Sequence, residues 1–117
     1  MTLLGEFALA AAATVVVELI VAFALGYRDK RSIFAVIVIN LITNPIANAL
    51  VILNASHFVM DERLLALLIE IAVVLAEWGM LALILKKKRR DMLLLSLAMN
   101  AASYLFGFLL WAVVGLF

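Results

Sequence analysis

Four apolar stretches, each roughly 20 residues or longer, occupy almost the whole of this chain. They run from about 7 to 25, 33 to 53, 64 to 85 and 92 to 117, separated by short charged segments. At 1.5 Å per residue, a helix of that length crosses ~30 Å of hydrocarbon. Alternation with period two is absent, which argues against a barrel. The pattern predicts an all-α membrane protein, one four-helix transmembrane bundle filling residues 1–117. Composition closes off the soluble alternative. Of 117 residues 69% are hydrophobic, more than a soluble domain this small can bury. Disorder requires the opposite bias. There is no cysteine and a single histidine, which excludes disulfides, thiolate chemistry and histidine-rich metal sites.

The charges set an orientation. Arg28, Lys30 and Arg31 lie between the first two stretches, and Lys86, Lys87, Lys88, Arg89 and Arg90 between the last two. The middle connection, about 54 to 63, has only Arg63, and the two ends have no basic residue. The positive-inside rule then places loops 27–31 and 86–90 in the cytoplasm and both termini outside, as in a multi-pass protein of the inner (plasma) membrane. Glu6 stands where a signal peptide would carry basic residues, so no cleavable signal is expected. Asn54-Ala55-Ser56 matches a glycosylation sequon, a coincidence in a chain that reads as prokaryotic.

A faint internal repeat accompanies this plan. Glu18 precedes Asn40 by 22 positions and Glu77 precedes Asn100 by 23, with Thr43 and Ser103 following three residues on. The chain divides into two hairpins of similar design offset by 59 to 60 residues. Two helices per unit preserve direction, so the pseudo-twofold axis would run along the membrane normal. Counting from the cytoplasmic ends puts both glutamates and both asparagines ~10–12 Å inside the boundary. One layer thus collects two carboxyls and two amides from four helices.

An ionisable side chain at that depth costs ~2.5–3.5 kcal/mol on insertion scales, so it should face the bundle interior. Glu70 and Glu77, seven apart, share a helix face, and Asn40, Asn44 and Asn48 form a stripe of amides. Carboxyl and amide oxygens suit a proton or a hard cation. The expected site is therefore Glu18, Asn40, Glu77 and Asn100, joined by Thr43 and Ser103. Glu70, Asn44 and Asn48 line its outer approach, and any metal would fall to Glu18 and Glu77. Pro45 should kink the second helix and free a carbonyl beside this stripe.

The function expected is a small transporter or channel-like protein, working as a homodimer or larger assembly. The alternative is a non-catalytic accessory subunit whose Glu–Asn pairs clamp helices at ~0.6–2 kcal/mol per bond. No cofactor, nucleic acid or enzymatic activity is expected, since no catalytic motif is present. Lys86 to Arg90 could hold anionic lipid beyond their role in topology. His57 reads as a solvated loop residue, and Asp61-Glu62-Arg63 as a charged helix start.

Its size, four spans and Glu18 in the first of them resemble the small multidrug resistance transporters, dimers that exchange protons for cationic compounds. The resemblance is architectural and implies for Glu18 a carboxyl shared by proton and substrate. The chain departs from that family in Glu70 and Glu77, in the amide-rich segment around Asn44-Pro45, in lacking a glycine-rich third helix, and in its strong charge bias.

Overall fold

The computed structural model describes residues 2–57 and 60–114. Among them four α-helices follow in order: α1 (Leu3–Ala24), α2 (Lys30–His57), α3 (Glu62–Leu85) and α4 (Arg89–Val114). Three contain segments long and apolar enough to cross a membrane, Lys30–His57, Glu62–Leu85 and Arg89–Leu109. The apolar part of α1, Ala8–Ala24, is shorter. Positions 58–59 of the middle connection and 115–117 of the last predicted stretch lie outside the described residues.

The helices reach further into their polar flanks than the apolar runs do, because the flanks supply caps. Thr2 Oγ1 accepts from the Gly5 amide at 3.0 Å and starts α1. Ahead of α2, the Asp29 carboxylate accepts from the Ser32 hydroxyl at 2.7 Å and the Ser32 amide at 3.2 Å. Asp61 accepts from the Arg63 and Leu64 amides and caps α3. These carboxylates satisfy amides that a helix start leaves without partners. At the far end of α2, buried Asn54 exchanges two hydrogen bonds with Met60, at 2.9 and 3.1 Å, and turns the connection back. The Ser32 hydroxyl, then its amide, hold the Asp29 carboxyl below its ordinary pKa of 3.8. Its contribution is therefore full above that value and is lost as the pH falls through the lower folded one.

Each helix packs against two neighbours: α1 against α2 and α4, and α3 against α2 and α4. The bundle is a square in which α1 and α3 lie across one diagonal. Among the described residues, apolar burial is confined to one half of it. Ala22, Ala35, Val36, Ile39, Leu81, Leu85, Met92, Leu95 and Met99 form the core. All of them lie between the polar level of Glu18 and Glu77 and the basic connections. Beyond that level, among the described residues, the one buried side chain is Asn54. Between the charged connections the outer faces of the helices are apolar, with Phe34 and Leu41 each 66% exposed. α2 continues unbroken through Pro45.

The two basic turns both need a left-handed residue, Gly26 at φ 101° and Lys86 at φ 53°. Gly26 has open space where a Cβ would sit, so a side chain there meets only backbone strain. Gly26→Ala should destabilise the bundle by about 1 kcal/mol and Lys86→Gly should stabilise it by a similar amount. Unfolding in detergent by denaturant titration measures both, and shifts of the same sign would contradict the assignment.

Candidate functional site

Counting along the helices brings four polar side chains to one level, and the packing adds two hydroxyls and turns all six toward each other. Glu18 on α1 and Glu77 on α3 are each 1% exposed. Asn40 Nδ2 on α2 donates to Glu18 Oε1 at 3.2 Å, and Asn100 Nδ2 on α4 donates to Glu77 Oε1 at 2.8 Å. The hydroxyls cross between the hairpins. Thr43 Oγ1 on α2 lies 2.9 Å from Glu77 Oε2, and Ser103 Oγ on α4 lies 3.3 Å from Glu18 Oε2. Every adjacent pair of helices is therefore joined by one of these four bonds, and the belt closes on itself.

Each donor is also tied to its own helix. Asn40 Nδ2 donates its second hydrogen to the Val36 carbonyl and Asn100 Nδ2 to the Ser96 carbonyl, both at 2.9 Å. That fixes which amide atom faces each carboxyl, since a carbonyl only accepts. Thr43 Oγ1 lies 3.1 Å from the Ile39 carbonyl, and Ser103 Oγ 3.1 Å from the Asn100 carbonyl. A hydroxyl has one proton and cannot donate to two acceptors at once. Facing a carboxylate, it donates to the carboxylate. Facing a carboxylic acid, it accepts the acid's proton and donates to the helix carbonyl. The belt thus accommodates either state of each carboxyl by rotating a hydroxyl, with the heavy atoms in place. Among the described residues, no buried side-chain nitrogen or oxygen lacks a hydrogen-bond partner.

The outer residues divide. Asn44 Nδ2 donates to Asn40 Oδ1 at 3.3 Å and extends the belt outward. Asn48 and Glu70 are half-buried and make no side-chain hydrogen bond among the described residues. Glu70 instead lines a cleft of about 680 Å³ between α3 and α4, together with Arg63, Asn100 and Tyr104. A second cleft of about 370 Å³, between α2 and α3, is apolar apart from Thr43. Pro45 and His57 are exposed. No group of three or more histidine or acidic side chains is arranged to hold a metal among the described residues.

Sequence reasoning paired each glutamate with the asparagine of its own hairpin and set Thr43 and Ser103 three residues beyond those asparagines. It did not foresee that these hydroxyls bridge the hairpins. It also missed two ties in the packed half. Ser96 Oγ donates to the Val74 carbonyl at 2.8 Å, joining α4 to α3. Trp78 Nε1 donates to the Arg89 carbonyl at 2.8 Å, which occupies the indole at the start of α4.

Comparison with protein-family models, with curated proteins and with solved structures finds no match for this chain.

Glu77→Gln keeps an acceptor toward Asn100 and a donor toward Thr43, so stability should change by less than about 1 kcal/mol. Glu77→Leu removes both interhelical bonds and should cost about 1–3 kcal/mol. Denaturant titration in micelles separates them, and equal stability of the two variants would contradict the belt.

Proposed function

We propose that this chain is an integral membrane protein of four spanning helices, and that it is a small transporter or channel-like protein binding a proton or cation at Glu18 and Glu77. Bilayer insertion is supported by the apolar exterior, which water would penalise and lipid accepts. The orientation follows from the basic loops: 27–31 and 86–90 lie in the cytoplasm of a plasma membrane, with both termini outside. Lys86 to Arg90 are exposed, and Lys87 Nζ sits 4.8 Å from the Tyr27 ring, which brings the two basic loops together. Such a surface suits anionic lipid headgroups. Four helices enclose little volume, and a homodimer or larger assembly fits that limit.

The repeat is supported by matched chemistry. Each glutamate has the amide of its own hairpin on one oxygen and a hydroxyl of the other hairpin on the second. Buried positions follow the same order along residues 31–40 and 91–100. Two such units related by an axis along the membrane normal would place the two carboxyls in equivalent settings.

The observation that carries the transport reading is the hydroxyl opposite each carboxyl, with a helix carbonyl as its alternative acceptor. A group built to gain and lose a proton needs partners for both states, and each glutamate has them. A proton fits better than a metal ion, because all four carboxyl oxygens are already engaged and a hard cation would have to strip them. The accessory-subunit reading draws on a different observation, the absence of an unsatisfied buried group among the described residues, which is what a clamp requires.

Purified protein in liposomes separates these readings. The transporter should conduct or exchange protons or a common cation, and Glu18→Gln or Glu77→Gln should abolish that flux while helicity and stability persist. Wild-type protein with no flux in any ion gradient would favour the accessory subunit.

A further inference from the structure

The two carboxyls share a belt but not their surroundings. Asn40 Oδ1 is covered by the Asn44 amide. Sixty positions on from Asn44 stands Tyr104, and Asn100 Oδ1 accepts no hydrogen bond among the described residues. Asn100 instead lines the cleft between α3 and α4 and holds Glu77 Oε1 from that wall. The cleft also contains Glu70, half-buried and without a protein hydrogen-bond partner among the described residues. Glu70 and Asn100 line one space, and a carboxyl and an amide oxygen without protein partners both require hydrogen-bond donors there. Arg63 and Glu70 are seven apart on α3, and Asn100 and Tyr104 four apart on α4, so polar groups mark the cleft along its length. Its volume of about 680 Å³ leaves room for several waters between walls that also carry Ala66, Leu67, Val74 and Leu97. Glu77 itself lies behind Asn100 and does not line the cleft, whereas for Glu18 neither the carboxyl nor its partners Asn40 and Ser103 line either cleft.

We propose that the cleft between α3 and α4 is a water-filled half-channel that connects Glu77 to the outer face, with Glu70 as its relay carboxyl, while Glu18 is sealed. The proton passes from bulk water to Glu70, through cleft water past Asn100, and onto a Glu77 oxygen; return follows the same path. Glu77 faces Thr43 from α2, Asn100 from α4, and Glu18 across the diagonal, and the remaining ionisable groups on the path are Arg63 and Tyr104. The belt closes the inner end, because beyond it the core is packed to the basic turns. The proposal rests on the membrane orientation given above but not on net transport.

The chain has no native cysteine, so single cysteines report water directly. Three positions are compared in intact cells with an impermeant thiol reagent: Ala101→Cys in the cleft, Leu105→Cys one turn nearer the outer end of α4 but on the exterior, and Ala22→Cys in the core. Thiol reagents need the thiolate, which forms in water and not in lipid. Ala101→Cys should label about tenfold faster than both others. Labelling no faster than at Leu105→Cys would mean that lipid fills the cleft and would overturn the proposal. Deuterium uptake by the carboxyl infrared bands, at a pH where both are protonated, tests the route. The band lost in Glu77→Gln should exchange about tenfold faster than the band lost in Glu18→Gln, and Glu70→Gln should reduce that difference. Equal or reversed rates would overturn the division between the two carboxyls, and an unchanged difference would remove Glu70 from the path. A wet cleft in a protein without flux would refute transport and leave this inference standing.

Discussion

A buried carboxyl surrounded by apolar side chains must find its hydrogen-bond partners within the chain, and in this bundle two carboxyls find theirs on neighbouring helices. Glu18 and Glu77 sit on diagonal helices, so the donors they need come from the other two, α2 and α4. That requirement sets the register of all four helices at one level. Sliding any helix by a turn, about 5.4 Å, would separate a carboxyl from its donor. Dispersion and small-residue packing hold apolar helices together without fixing their register, and the polar belt supplies what they lack.

The belt also divides the molecule. On the side of the basic turns the helices interdigitate around Ile39, Leu81, Met92 and Met99. On the other side they separate and leave two clefts. The molecule thus consists of a packed half, a polar belt and an open half. The difference between the clefts comes from few residues. The one between α2 and α3 has aliphatic walls suited to lipid chains, and the one between α3 and α4 brings Glu70 and Asn100 to the same space.

Much of this was legible in the sequence because helices make depth a matter of counting. The four apolar runs, the charges between them, and the common level of Glu18, Asn40, Glu77 and Asn100 need only a rise per residue. Azimuth and packing order are another matter. Apolar helices have weak hydrophobic asymmetry, so nothing along α1 or α2 says which neighbour each face meets. That is why Thr43 was legible as a polar neighbour of Asn40 but not as a partner of Glu77, and why Ser103 was not linked to Glu18, 85 positions away. The Trp78 tie to the Arg89 carbonyl was hidden for the same reason, since it depends on how the α3–α4 turn closes. Lys86 in a left-handed turn gives no warning either, because lysine is not the residue that conformation favours.

The belt itself is open to direct observation. Magic-angle-spinning NMR of the protein in bilayers, with carbon-labelled glutamate and nitrogen-labelled asparagine, reads the separation of each carboxyl carbon from the amide nitrogen opposite. Two short contacts, about 3–4 Å, are expected, Glu18 to Asn40 and Glu77 to Asn100, each lost when its asparagine is replaced by alanine. Glutamate carbons with no asparagine nitrogen nearby would show that the helices meet in another register, and the belt would not exist.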